Sequence, residues 1–225
     1  MDNPSLSEGE LALLLRNRQA PPELLGRIGR DPRWLRHYQV KRGLVVHPRT
    51  PINLARGLVQ HLRWKELAEA CDSATVHPTV RSKAEDLLTV RLAKLTIGER
   101  IALARRATRK VIDALIDLPD GRVLKSLLGN RRLVEADVTK IASDTQVPGD
   151  LLAFIGAHVR WANERAVILA LLHNPLTPIP AALSMIRRLD KRDIRGLASD
   201  DSVPTIVRIG ADRELSSASA RESHA

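Results

Sequence analysis

The string His47-Pro48-Arg49-Thr50-Pro51 returns almost unchanged as Asn174-Pro175-Leu176-Thr177-Pro178, 127 positions later. The same offset holds well outside those five residues. Upstream, Leu25, Ile28, Gly29, Arg33, Trp34, Val40 and Leu44 return as Leu152, Ile155, Gly156, Arg160, Trp161, Val167 and Leu171. Downstream, Ile52, Ala55, Val76, Val80, Arg81 and Ala84 return as Ile179, Ala182, Val203, Val207, Arg208 and Ala211, with no gap. A chain that repeats itself buries the apolar face of each unit against its neighbours, so the repeat constrains the fold more than any local signal does.

The composition says which kind of repeat. Apolar residues make up 44% of the 225 residues but aromatics only 2%. Leu, Ile, Val and Ala must therefore fill the core, and their spacing follows a helical period rather than strand alternation. The expectation is an all-α chain of thirteen to fifteen short helices in one repeat domain, residues 1–215, with 19–88 duplicated as 146–215. A fainter echo at an offset of 44 aligns Val123, Leu127, Leu128 and Asn130 with Val167, Leu171, Leu172 and Asn174, which marks residues 89–145 as degenerate middle repeats. The polar tail from Ser216 to Ala225 is expected to be disordered.

Local signals place the helix ends. Ser7-x-x-Glu10 and Thr96-x-x-Glu99 read as capping boxes. Asp31-Pro32 is an N-cap followed by proline in the first turn, and predicts one helix from there to about Val46. Pro48 stops that helix, because the residue before a proline is pushed out of the α region. Thr50 is then read as the cap of the next helix and Pro51 as its first residue, with Asn174 and Thr177 in the same roles in the second copy.

The run Asn174-Pro175-x-Thr177-Pro178 after an apolar helix, then a short helix, then Val203-Pro204-x-x-Val207-Arg208-x-x-Ala211, resembles HEAT-like α-helical repeats. Within these it is similar to the bacterial leucine-rich repeat variant group. The resemblance implies an α-solenoid, a right-handed superhelix of short helices, and implies no reaction. Some members of the variant group hold a cysteine-bound iron–sulfur cluster, which the single Cys71 could not ligate. Other HEAT-like proteins are DNA glycosylases with aromatic-rich clefts, whereas aromatics here are limited to Trp34, Trp64, Trp161, Tyr38 and Phe154.

Candidate chemistry is sparse. The seven histidines show no metal-ligand spacing, no phosphate-binding or nucleophile-elbow string occurs, and Cys71 between acidic neighbours is a poor nucleophile. Asp113, Asp117 and Asp120 could do acid–base work, but the last two read as turn formers beside Gly121. Trp34 and Trp161 read as packing anchors between repeats, and Arg81 and Arg208 as arginines tying adjacent turns together. No catalytic residue, cofactor or metal is expected. One cysteine, no secretory leader and no long apolar run point to the cytoplasm.

Charge is the strongest functional signal. The net +10 belongs entirely to residues 1–112, with ten Lys/Arg against Asp31 alone between Arg27 and Lys65, and seven against Glu99 between Arg91 and Lys110. Arg33, Arg36, Lys41, Arg42, Arg105, Arg106, Arg109 and Lys110 are the candidate polyanion-binding residues. The expected function is a non-enzymatic scaffold for an unknown protein partner. The alternative is sequence-independent binding of a nucleic-acid backbone by the basic half.

Overall fold

In the computed structural model, residues 8–222 are described. They form sixteen α-helices and two 3-10 turns, with no strand among them. Two compact units meet between Ala114 and Leu115. The first holds α1 (Glu8–Leu14), α2 (Pro22–Ile28), α3 (Pro32–Leu35), α4 (Tyr38–Val46), α5 (Ile52–Leu58), α6 (Trp64–Asp72), α7 (Pro78–Arg91) and α8 (Ile97–Ala104); α9 (Arg109–Ile116) crosses the boundary. The second holds α10 (Gly121–Leu127), α11 (Glu135–Ser143), α12 (Gly149–Ala157), α13 (Arg165–His173), α14 (Ile179–Ile186), α15 (Lys191–Ser199) and α16 (Thr205–Glu222). No described helix is long and apolar enough to cross a membrane.

Helices this short have little stability of their own and depend on burying one face. In the first unit α4 packs on α1, α5 and α6, while α7 packs on α5 and α6. Leu11, Leu25, Val40, Leu44, Leu67, Val80 and Leu88 are essentially inaccessible there. In the second unit α13 packs on α11, α12 and α14, and α16 on α14 and α15. Leu152, Ile155, Val167, Leu171 and Ala211 fill that core. Each fully buried Leu or Val contributes about 1.5–3 kcal/mol relative to exposure, so these stripes dominate the energetics.

What ends the helices is side-chain chemistry, not glycine. No described residue, glycine included, has positive φ, so the left-handed glycine cap is not used. Instead, an extended residue carries an acceptor that takes the backbone N–H two positions on. In the first unit these bonds are Arg49 N–H to His47 Nδ1 (3.1 Å), Gln19 N–H to Asn17 Oδ1 (3.0 Å) and Thr75 N–H to Ser73 Oγ (3.3 Å). In the second they are Leu176 N–H to Asn174 Oδ1 (3.0 Å), Gln146 N–H to Asp144 Oδ1 (2.8 Å) and Ser202 N–H to Asp200 Oδ1 (2.8 Å). Arg33 N–H to Asp31 Oδ1, Thr79 N–H to His77 Nδ1, Arg122 N–H to Asp120 Oδ1, Arg132 N–H to Asn130 Oδ1 and Arg160 N–H to His158 Nδ1 follow the same pattern. These are Asx- and Ser/Thr-type turns, with imidazole taking the same part.

Two of the acceptors also bridge to the preceding turn. Asn174, 4% exposed, donates from Nδ2 to Ala142 O (2.8 Å) and Asp144 O (3.0 Å). His47, equally buried, places Nε2 3.0 Å from Asn17 O. With Nδ1 accepting from Arg49, the His47 proton belongs on Nε2.

The structure departs from the sequence reading at several points. The helix expected from Asp31 to Val46 is two, because the backbone extends at His37 (φ −83°, ψ 123°). The break lets α4 turn Val40, Leu44 and Val45 inward while Trp34 stays half-buried. Thr50 and Thr177 do not cap the following helices; Thr177 Oγ1 donates backwards to Leu171 O at 2.6 Å, and Thr50 Oγ1 is buried without a partner. The tail expected to be disordered from Ser216 continues α16 to Glu222, where Ser216 and Ser217 hydroxyls bond Asp212 O and Glu214 O. The helices number sixteen among the described residues rather than thirteen to fifteen. The Thr96–Glu99 capping box forms in full, whereas Ser7 of the first expected box lies outside the described residues.

Replacing Asn174 by Ala removes three hydrogen bonds from a dry site and strands Ala142 O. We expect a loss of about 2–4 kcal/mol in urea unfolding. A change below 0.5 kcal/mol would show that this side chain does not hold the turns together.

Candidate interaction surface

The eight candidate cations all fall in the first unit, and most are already engaged. Arg33 pairs with Asp31 at 2.8 Å and Arg42 with Glu69 at 3.0 Å. Arg106 pairs with Asp72 at 3.6 Å, Arg109 with Asp113, and Lys110 with Asp86. Arg36 Nε lies 3.2 Å from His37 Nε2. The helix break at His37 puts Arg33 and Arg36 outside the helix that carries Lys41 and Arg42. Two other arginines of the 91–110 block serve the backbone. Arg91 donates to Leu62 O (2.7 Å) and Gln60 O (2.6 Å), and Arg100 to Leu95 O and Ala93 O, both 3.1 Å.

The second unit repeats this use of arginine. Arg160 donates to Asn130 O (3.2 Å) and Leu133 O (2.8 Å) and lies 4.2 Å from the Trp161 ring centre. Arg188 donates to Gly156 O (2.8 Å) and Ala162 O (3.0 Å). Residue type alone cannot distinguish an arginine that closes a helix end from one that faces solvent. The Arg-Trp dipeptide, which occurs at 33–34, 63–64 and 160–161, is no guide, since Arg33 pairs with Asp31 and Arg63 lies over the Tyr38 ring. Trp161 is the expected anchor, buried with Nε1 3.4 Å from Leu128 O, while Trp34 is half-buried against His37. Arg208 pairs with Asp201 in the turn before its helix, but its equivalent Arg81 makes no side-chain hydrogen bond or ion pair among the described residues, so the role expected of both is met by one.

A concavity lies across α1, α4 and α6. It encloses about 730 Å³ and is lined by Ala12, Leu15, Gly43 and Val46 with Arg16, Gln39, Arg42, Glu69 and Ser73 around them. Ala12 and Leu15 at the end of α1 and Gly43 and Val46 of α4 make its floor, α6 adds Glu69 and the following Ser73, and its rim carries both signs of charge. Gly43 lets Leu15 pack closely against α4, since a Cβ there would sit 2.8 Å from Leu15 Cδ1. The residues 127 positions on from Val46 and Ser73 are His173 and Asp200, which join at 3.2 Å. His173 Nδ1 also lies 2.7 Å from Leu169 O, whereas at the equivalent place in the first unit Ser73 Oγ meets Thr75 Oγ1 at 2.8 Å and Thr75 Oγ1 donates to Val46 O at 3.4 Å.

The candidate catalytic groups are occupied structurally. Burial, reinforced by Glu85 and Asp72, pushes the Cys71 thiol up to about 12. Asp117 pairs with Lys140 at 2.8 Å, and Asp120 caps α10 while holding Arg122, which keeps its carboxyl below the usual range. His77 caps α7 through Thr79 N–H. No cluster of three metal-ligating side chains occurs among the described residues. Comparison of the chain with known protein families, curated proteins and solved structures finds no match.

Two measurements check this site. Cys71 should resist a thiol reagent such as Ellman's at pH 8 in the folded protein and react fully once unfolded; rapid labelling of the native chain would contradict its burial. Asp200 is held at about 2, below its ordinary 3.8, by the Ser202 hydroxyl and N–H and then by His173. A depressed carboxylate gives stability that is present above its unfolded value and lost as pH falls through the folded one. Stability should therefore decline between pH 4 and pH 2, and the decline should be shallower in Asp200→Asn; equal slopes would remove Asp200 from the acid response.

Proposed function

We propose that this chain is a non-enzymatic, cytoplasmic HEAT-like scaffold that binds a protein partner in the groove of α1, α4 and α6. In this reading residues 1–215 are one repeat domain, an α-solenoid in which 19–88 recur as 146–215. Helix boundaries support the duplication: α4 and α13, and likewise α6 and α15, begin and end 127 positions apart. So do the pairings, with α1 on α4, α4 on α5 and α6 on α7 answered by α11 on α13, α13 on α14 and α15 on α16. The turn acceptors at 17, 31, 47 and 73 recur at 144, 158, 174 and 200.

The observation that carries the binding role is the groove itself. Its floor is apolar at Val46 where the second copy carries the polar His173, and its mixed rim suits a polypeptide rather than a uniformly charged ligand. The nucleic-acid alternative draws on Arg27, Arg30, Lys41 and Arg56, which have no ion pair among the described residues. It loses weight because Arg33, Arg42, Arg106, Arg109 and Lys110 already face carboxylates.

A photo-crosslinking residue placed at Gln39 or Arg16 should capture the same protein in the native host. The same residue at Lys83, outside the groove, should capture none, and Val46→Glu should abolish the adduct. Capture that ignores Val46→Glu would remove the groove from the proposal. Salt-sensitive binding to random duplex DNA, unaffected by Val46→Glu and weakened by charge reversal at Arg105, Arg106 and Arg109, would favour the polyanion reading.

A further inference from the structure

A second surface, in the other unit, carries apolar residues that its packing does not require. Leu183 of α14 and Ile206 and Ile209 of α16 are 38%, 41% and 43% exposed, and they wall a cleft of about 320 Å³ over buried Ile186. Ile179, one turn before Leu183 on the same face of α14, extends the strip. The residues 127 positions earlier than Leu183, Ile206 and Ile209 are Arg56, Thr79 and Ser82, all exposed and polar. The corresponding pair, α5 and α7, packs with those polar residues in place, so Leu183, Ile206 and Ile209 are not a demand of the fold, while Ile179 has an apolar counterpart in the exposed Ile52.

The cleft has an electrostatic end. Arg187 and Arg213 line it together with one carboxylate, Glu214; both arginines are exposed, and neither guanidinium has a hydrogen bond or ion pair among the described residues. This contrasts with Arg160, Arg165 and Arg188 of the same unit, which are all bonded. Gly210 lets α14 and α16 close together at the base, where a Cβ would lie 2.5 Å from Leu183 Cδ2.

We propose that this cleft binds a short amphipathic segment of a partner protein. Apolar side chains of the segment lie between α14 and α16, and one of its carboxylates meets Arg187 and Arg213. An apolar strip a few side chains long, with paired cations at one end, matches a helix-in-groove ligand whose anchors recur every three or four residues. A nucleic-acid backbone would leave the apolar strip uncovered. A second copy of this chain across a two-fold axis would bring two more arginines against only Glu214, which is poor complementarity. The proposal rests on the protein-binding reading but uses a surface separate from the groove of α1, α4 and α6.

The test is selection of a random twelve-residue displayed peptide library on the full-length chain, followed by fluorescence anisotropy with the enriched peptides. Enriched sequences should combine apolar residues three or four apart with a neighbouring Asp or Glu. Ile209→Asp and Arg213→Glu should each weaken binding by about tenfold or more, with the helical circular dichroism unchanged. A Glu→Lys change in the peptide should restore binding to Arg213→Glu. Binding that tolerates Ile209→Asp, or a consensus without an acid, overturns the proposal. Concentration-dependent dimerisation lost in Ile209→Asp would assign the cleft to a second copy instead and overturn it equally. Val46→Glu leaves this cleft intact, so failure here and failure of the groove are read separately.

Discussion

The interaction on which both units depend is the hydrogen bond from a backbone N–H to a side-chain acceptor two residues earlier. It forms where a helix gives way to extended backbone, as at His47 (ψ 128°), Asn174 (ψ 117°) and Asp200 (ψ 111°). An extended residue after a helix exposes carbonyls behind it and N–H groups ahead of it. The acceptor takes one of those N–H groups. In Asn174 the same side chain also reaches two carbonyls of the preceding turn. One short polar residue thus ends its helix, shapes the turn and ties that turn to the one before.

Arginine completes the accounting. Long guanidinium side chains reach back to the free carbonyls at earlier helix ends, as from Arg91 to Gln60 and Leu62 and from Arg188 to Gly156 and Ala162. A hydrogen bond to a charged donor is worth about 1.5–3 kcal/mol, somewhat more than a neutral one, and Arg offers several donors in fixed geometry. This accounts for part of the positive charge that stands out in the sequence. The chain is basic partly because carbonyls at its helix ends are closed by cations rather than by glycine turns.

Much of this could be read from the residues. The punctuating prolines, the Thr96–Glu99 box and the Asp31 cap locate helix ends correctly because each acts within four residues of itself. Most apolar positions shared across 127 residues are buried in both places, as at Val40 and Val167 or Ala84 and Ala211, whereas Ile52 and Ile179 are exposed in both. What could not be read depends on neighbours distant in sequence. The break at His37, the backward bond of Thr177 and the carbonyl partners of Arg91 are decided by what packs nearby, not by the residue's own preference. The groove of α1, α4 and α6 was invisible for the same reason, since its residues come from three helices none of which is unusual alone.

Cross-helix side-chain bonds in both units share a short reach. Tyr38 to Glu66, Arg91 to Leu62, Asn174 to Ala142 and Arg160 to Asn130 each span 28 to 32 positions. Chain closure over so few residues costs little entropy, and the cost grows only slowly with loop length. A molecule joined in this way has low contact order, so its helices can assemble early and by local search. The same property lets one stretch open while distant stretches stay formed, with hydrogen exchange falling in steps along the chain instead of all at once.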